Sequence, residues 1–483
     1  MRRLRAIFSP RDMTVGTPWK RIVEFAFPML LGNIAQQLYS STDAAVVGQY
    51  VGDNALASVG STGPILMFMI ALFMGISNGA GILVAQAFGA RDRERLSVAI
   101  GNCLTLTAIA SVVIMALGTM LARPVLEALA TPPEIIEDAI SYLQIYFLGI
   151  ASFTYYNILS GILRGLGDSF SALGFLLLTS ALNIVLDLWF VISFGWGVPG
   201  VAIATVISQF VSAILCFIKL TRMRETFDIN RRTLRLKRET VKDVLRLGMP
   251  TGITQATFSM AMLVVQRLQN SFGPAFVATA IIAMRVDGFA MMPNFSFGMA
   301  MTTFTGQNVG AGRIERTQQG AKQGTVIAVA VAAVMTGAVL LFGRHIMGLF
   351  TQTEVIIDTG MRLIRILALG FIAMAVIQSL SGVMRGAGDA VTPMWISIMV
   401  SVALRVPLSY WLVNLSKTAE NPLGQPEMIY YAMLATWLMG AVTNVLAFRF
   451  GRWRKKARER LVGFSQSREE EAAEAAMDFI PEA

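Results

Sequence analysis

"SGILRGLGD", Ser160 to Asp168, is followed 221 positions later by "SGVMRGAGD", Ser381 to Asp389. Six of the nine positions are identical, and the other three exchange one apolar residue for another. A second pair, "QAFGARDRER" from Gln86 and "QNVGAGRIER" from Gln307, has the same separation and shares Gln, Gly, Ala, Glu and Arg in register. Two phrases at one offset mean that the chain holds two copies of one unit.

Composition says what kind of unit. Of 483 residues, 55% are hydrophobic and 14% charged, against roughly 25% charged in an ordinary soluble domain, and mean hydropathy is +0.60. A soluble chain could not hide that much apolar surface, so the sequence reads as an all-α polytopic membrane protein. Largely apolar stretches of about 20 residues or more, enough to cross a roughly 30 Å hydrocarbon layer, recur near 22–48, 55–84, 97–121, 136–161, 170–194, 198–219, 247–271, 276–305, 321–343, 358–383, 391–413 and 428–449. The expectation is twelve transmembrane helices in two six-helix repeats. Extra residues, "SKTAENPLGQPE", precede the last helix. Six is even, so both copies enter from the same side and form a parallel repeat.

The domain organisation follows: an amino-terminal arm at 1–21, a first lobe at 22–219, a basic linker at 220–246, a second lobe at 247–450 and a tail at 451–483. Of the 40 Lys and Arg, 32 fall in the arm, the tail and the loops after even-numbered helices. The positive-inside rule makes those segments cytoplasmic. The run from Lys219 to Arg246 holds ten of them and is expected to lie on the inner surface as an amphipathic helix against anionic lipid. The net charge of +10 is thus a topology signal, and no soluble module accompanies it that would suggest nucleic-acid binding. No small-residue cleavage site follows the basic "MRRLRAIFSPRDM", so no removable signal peptide is expected. Cys103, Cys216 and the single His345 form no metal or catalytic pattern. The acidic end, "SREEEAAEAAMDFIPEA", is expected to be disordered.

Arg164 and Asp168 close the fourth helix, and Arg385 and Asp389 the tenth. The glycines allow a positive-φ turn, while the arginines are expected to satisfy the last helix carbonyls. The opening phrase therefore reads first as a duplicated helix cap, with a role in gating the inner mouth as the alternative.

Ionisable residues inside a membrane are functional candidates by default. The first lobe has two acids well inside its spans, Asp43 and Asp187. Each lies seven residues before its helix reaches the outer surface, about 10 Å deep at 1.5 Å per residue. Asn183 is i−4 to Asp187; Tyr39 and Gln36 are i−4 and i−7 to Asp43. Thr205 lies at the same depth on the descending sixth helix. Carboxylates, amides and hydroxyls together suit a shared proton or a small hard cation such as Na⁺. The competing reading is that the acids merely hydrogen-bond helices together. Pro28 removes a hydrogen bond and should kink the first helix.

Twelve helices in two parallel repeats, with "SGILRGLGD" and "SGVMRGAGD" after the fourth and tenth, resemble the multidrug and toxic compound extrusion (MATE) transporters. "PMLLGNIAQQLYSSTDAAVVGQYVG" from Pro28 and "SNGAGILVAQAFGA" from Ser77 carry the resemblance further, which runs from Arg21 to about Phe450. It implies two lobes forming a V around a cavity, and export of organic compounds in exchange for H⁺ or Na⁺, with no cofactor. It also implies an ion site of Asp43, Asn183, Asp187 and Thr205, with Asn157 as a weaker member, and bending of the first helix as the switch.

The second lobe departs from the pattern of the NorM-like branch, which has acids on the seventh and tenth helices. "PTGITQATFSMAMLVVQRLQNSFG" has none; the lobe holds Arg267, Arg285 and Arg405 with Asp287 as its one internal acid. The resemblance then implies coupling through the first lobe, as in the DinF-like branch. Met284, Met291, Met292, Met299 and Met301 crowd the eighth helix and recur at Met260 and Met262; they suit either helix packing or a wall accepting varied apolar shapes. The arginines would line the cavity, or Arg267 or Arg285 would lock to Asp287 while Arg405 turns to backbone carbonyls.

The expected function is secondary-active export of small amphipathic compounds, anionic or zwitterionic ones tolerated, by a monomer in a bacterial cytoplasmic membrane with both termini inside. Membrane lipid is the other partner expected. A lipid or lipid-linked saccharide flippase is the alternative within transport. A membrane-embedded enzyme would need clustered catalytic groups that this chain lacks.

Overall fold

The computed structural model describes residues 11–462 apart from 130 and 224, and their side chains except at 38–45, 48–49, 53–54, 56, 64, 68 and 72. The side chains of Tyr39 and Asp43 and the acidic tail from 463 therefore lie outside the described residues. Twelve long helices follow one another, with no strand among the described residues. The first six are Pro18–Val46, Asp53–Gly89, Arg93–Ala128, Pro133–Leu148 continued by Ile150–Gly165, Ser169–Leu188 and Gly197–Thr221. The second six are Arg238–Asn270, Pro274–Gly310, Ile314–Gly348, Glu354–Gly386, Val391–Leu415 and Glu427–Phe450.

Nine are long and apolar enough among the described residues to cross a membrane, and the fourth, bent by 51° at Gly149, makes a tenth. The first and seventh are long enough, at 29 and 33 residues, but do not reach that apolarity. Polar positions dilute them: Gln36, Gln37 and Asp43 in one, Thr251, Thr254, Gln255, Gln266, Arg267 and Gln269 in the other.

Those same two helices divide between packing units. One compact unit contains Phe27–Gly252; the other contains Met13–Ala26 and the chain from Ile253. The boundaries fall beside Pro28 and Pro250, each inside its helix. A proline there deletes one i→i−4 bond and disturbs the turn before it, so each helix changes neighbours where its own ladder is weakest. Repeat boundaries at 22 and 247 mark sequence copies, whereas packing draws its line a few residues later.

In the first unit, Ile100, Ile162, Leu163, Cys216 and Phe227 belong to a buried apolar core. Both cysteines are buried and free. Glycines let the helices of this unit approach closely. A Cβ at Gly75 would stand 2.5 Å from the Gly252 backbone, and one at Gly79 2.6 Å from Gly248 N. Two Gly-x-x-x-Gly faces thus cross, the second helix on the seventh. The repeated phrase does the same work: Gly161 and Gly165 lay the fourth helix on the second, with Gly165 directed 2.5 Å from Gly81 O, and Gly382 and Gly386 lay the tenth on the eighth. In the second unit, Phe371, Leu367, Val286 and Trp437 are core.

The rest of that phrase is a turn and a cap. Gly167 and Gly388 take φ of 88° and 91°, as expected of glycine in a tight turn. Asp168, 1% exposed, accepts from Ser171 N at 2.9 Å and Ser171 Oγ at 2.7 Å, capping the fifth helix. Asp389 does so for Thr392. Arg164 differs from expectation: its Nη1 donates to Ser160 Oγ at 2.7 Å, one turn back along its own helix.

The basic linker is not an amphipathic helix. Its residues form turns around one short helix, Arg231–Leu234, held by an Asn230–Thr233 capping box, and from Arg238 it already belongs to the seventh helix. Polar side chains of the third helix hold it. Asn102 Nδ2 donates to Thr233 O and Arg235 O, both at 3.1 Å, and its Oδ1 accepts from Lys237 N at 2.6 Å. Arg93 makes a two-point pair with Asp228. In the second unit the equivalent loop grips the segment before the first helix: Gln307 Oε1 accepts from Met13 N at 2.8 Å, and Arg313 Nη1 donates to Thr14 O at 2.6 Å. The second sequence pair, "QAFGARDRER" and "QNVGAGRIER", therefore lies where each copy fastens the segment leading into a helix that changes units.

Candidate functional site

The fifth helix, started by the Asp168 cap, carries Asn183 and Asp187 one turn apart on its buried face. Asp187 is 0% and Asn183 1% exposed. The Asn183 amide, oriented by its neighbours, donates to Asp187 Oδ2 at 2.9 Å and accepts from Thr205 N at 3.2 Å. Three of the expected residues thus meet between the fifth and sixth helices. Thr205 is buried too, and its Oγ1 makes no hydrogen bond among the described residues. Below it, Ser208 Oγ is equally without a partner, and Ser212 Oγ donates to Thr179 Oγ1 at 2.6 Å. A hydroxyl-lined face therefore continues down the sixth helix from the carboxylate.

The first helix reaches the same region. Both helices run into a short π-helical turn, Val47–Val51 and Trp189–Ser193, and Val47 and Val191 belong to one apolar cluster with Tyr142, Val198 and Val201. Position 43 lies four residues before Val47, and Asp187 four residues before Val191. The two acids are therefore each one helical turn, about 6 Å, below the level at which their helices pack. The Asp43 and Tyr39 side chains lie outside the described residues. Gln36 is exposed. Asn157 is half-buried and its side chain is turned to its own helix, with Nδ2 donating to Phe153 O at 2.8 Å, while its main-chain carbonyl accepts from Ser77 Oγ at 2.6 Å; these bonds do not bring it to Asp187. Pro28 is buried where the first helix changes units.

In the second unit the three arginines differ in burial. Arg267 and Arg285 are exposed, because Val265 and Leu268, and Ala283 and Val286, take the inward faces of their helices. Asp287 is half-buried and its Oδ1 has no hydrogen-bond partner among the described residues. No ion pair joins it to either arginine there, so the alternative in which one of them locks to Asp287 is not the arrangement present. Arg405 alone is buried. It does not turn to backbone carbonyls: Nε donates to Thr436 Oγ1 at 3.3 Å, and the guanidinium lies over the rings of Phe258 and Trp437. Met260 is exposed, Met292 half-buried, and Met291 packs against the core. Among the described residues no group of His, Cys, Asp or Glu could hold a metal ion.

The model of the MatE family matches the chain twice, over residues 28–189 and 250–411. The chain belongs to the MatE family. Each match begins at one of the two prolines where a helix changes units. Among curated relatives of this MatE chain is the probable multidrug resistance protein YoeA of Bacillus subtilis, 28% identical over 83% of this chain and 88% of that one. Another is the probable multidrug resistance protein NorM of Thermotoga maritima, 28% identical over 91% and 94%. The crystal structure of MATE in the bent conformation matches with a TM-score of 0.84 at 27% identity, covering 93% of this chain and 98% of that one. The family makes the chain a multi-pass membrane transporter and not an enzyme.

Sequence reasoning missed two features of this MatE chain. The Gly75/Gly79 and Gly248/Gly252 faces were visible as Gly-x-x-x-Gly spacings within apolar runs. The hold of Asn102 on the linker had no such signal, since a single Asn in a helix does not announce a partner 131 residues away.

Proposed function

We propose that this chain is a secondary-active exporter of small amphipathic organic compounds, driven by inward H⁺ or Na⁺ bound in the first unit. The observation that carries the reading is the buried Asn183–Asp187–Thr205 group. A carboxylate in a membrane interior is costly to bury, and oxygen ligands of this kind suit a proton or a hard cation. Asp43 is the second carboxylate of the site, with Tyr39 and Gln36 on its helix. One proton moving down about 150 mV supplies roughly 3.5 kcal/mol, enough for a several-hundred-fold gradient of a neutral compound.

Protonation or cation binding at Asp187 and Asp43 alters the packing of the first helix, and Pro28 is the point where that helix yields. The transporter works as a monomer in a cytoplasmic membrane with both termini inside. The family assignment disfavours a lipid or lipid-linked saccharide flippase.

Proteoliposomes with an imposed pH or Na⁺ gradient test the reading. Wild-type protein should drive dye movement with one gradient, and Asp187→Asn and Asp43→Asn should each abolish it while remaining folded and inserted. Gradient-driven transport at the wild-type rate by either variant would remove that acid from the coupling site. Topology is checked with single cysteines: Asp228→Cys should label from inside only and Glu420→Cys from outside only.

A further inference from the structure

The second unit carries a counterpart of the Asn183–Asp187–Thr205 group with the opposite charge. Asp168 and Asp389 precede the fifth and eleventh helices at the 221-residue offset, but Trp189 and Trp411 stand 222 apart. The eleventh helix therefore contains one extra residue, and a π-bulge at Met399–Leu404 accommodates it. Beyond the bulge, Arg405 falls at the register position of Asn183, and Ser409 at that of Asp187. "ATW" at Ala435–Trp437 answers "ATV" at Ala204–Val206 and places Thr436 at the position of Thr205. The contacts differ in kind from those of the first unit: Arg405 Nε donates to the Thr436 side-chain Oγ1 at 3.3 Å, while Ser409 Oγ donates to the main-chain carbonyl of Arg405 at 2.8 Å and leaves the guanidinium to Thr436.

Nothing balances the guanidinium. Arg405 is 1% exposed, yet its Nη1 has no hydrogen-bond partner and no carboxylate pairs with it among the described residues. The indole Nε1 of Trp437, 3% exposed, is also without a partner there. Arg405 Cζ lies 5.8 Å from the Trp437 ring centroid and 5.7 Å from that of Phe258. The aromatic faces attract the cation but fill neither donor. A buried cation with an empty donor, beside a neutral donor that is also empty, is the complement of an anion.

We propose that Arg405 and Trp437 form an anion site in the second unit that takes the carboxylate of an amphipathic substrate, whose apolar body packs on Phe258. The exporter reading supplies only the direction in which that substrate moves; the binding itself does not depend on it. An inorganic anion such as chloride shares the recognition chemistry.

Equilibrium binding of 1-pyrenebutyrate and of its methyl ester to the purified full-length protein, with no gradient applied, tests the site. Wild type should bind the acid about tenfold more tightly than the ester, the scale of one charge-assisted hydrogen bond. Arg405→Gln should bring the ratio to about one, Trp437→Phe should lower it about threefold, and Arg405→Lys should keep most of it. Replacing gluconate with chloride distinguishes the sources: weakened acid binding would identify chloride as an occupant of the same site, and unchanged binding would leave the organic carboxylate as its ligand. Equal affinity of wild type for acid and ester overturns the proposal, as does an undiminished ratio in a folded Arg405→Gln. Should that variant not fold, an undiminished ratio in Trp437→Phe overturns it instead. Because no gradient is used, the result stands whether or not Asp187 couples transport.

Discussion

Lys456 Nζ lies 2.6 Å from Asp389 Oδ1, tying the turn after the tenth helix to the segment beyond the twelfth. The first repeat has the same bond in looser form, Lys219 Nζ to Asp168 Oδ2 at 3.4 Å. Asp389 is fully buried and Lys456 a quarter exposed. Lys456→Met leaves a buried carboxylate with only Thr392 N and Oγ1 donating to it among the described residues and should cost about 2 kcal/mol, less than a fully buried pair because water still screens the amine. Thermal unfolding of the purified protein should show a lower midpoint. Lys219→Met should lower it less, and a reversed ranking would show that the distances do not order these pairs.

Close crossing of the second and seventh helices requires hydrogen at Gly75 and Gly79. Even Gly75→Ala puts a carbon 2.5 Å from the Gly252 backbone, so the helices must part. Overpacking of this kind costs about 1–3 kcal/mol. Gly337→Ala is the control, since beyond its own stretch of helix backbone nothing stands within 4 Å of its added carbon. The folded, monodisperse yield after detergent extraction should fall for the first variant and not for the second.

The fold class was legible because its evidence is redundant: one offset appears in two separate phrases, and apolar length repeats along the chain. The group of Asn183, Asp187 and Thr205 was legible because depth along a helix is countable at a fixed rise per residue. The absence of a lock between Asp287 and Arg267 or Arg285 was not legible, for the complementary reason. Depth says nothing about which way a side chain turns around the helix, and Val265, Leu268, Ala283 and Val286 claim the inward faces. Arg405 was displaced by a subtler effect, a single inserted residue that rotates everything after Met399–Leu404 by about 100°. The linker was read from its charge, although beside the Arg93–Asp228 pair the bonds that hold it are made by neutral Asn102, Thr105 and Ser97.

Pro28→Ala restores the possibility of a bond to Glu24 O and should stiffen the first helix at the point where it changes units. The variant should unfold at the same or a higher temperature, since a helix-interior proline costs about 3 kcal/mol relative to alanine, yet transport more slowly. Pro250→Ala makes the same change in the seventh helix. Transport at the wild-type rate by a folded Pro28→Ala protein would show that this proline is a packing feature only.

The last prediction concerns the linker. Asn102 makes three hydrogen bonds to the backbone of Thr233, Arg235 and Lys237, and Thr105 Oγ1 makes one, to Leu234 O at 2.7 Å. Arg235 and Lys237 are exposed, but a protease needs the backbone to leave the third helix before it can cut. At about 1 kcal/mol per bond, Asn102→Leu makes that opening easier by about 3 kcal/mol, roughly a hundredfold in population. Thr105→Val makes it easier by about 1 kcal/mol, roughly fivefold. Limited trypsin digestion of the purified protein should therefore accelerate between residues 231 and 238 in the order wild type, Thr105→Val, Asn102→Leu, while cleavage elsewhere keeps its rate. Equal cleavage rates for all three would mean that the bonds from the third helix do not limit opening, and that Arg93 with Asp228 holds the linker unaided.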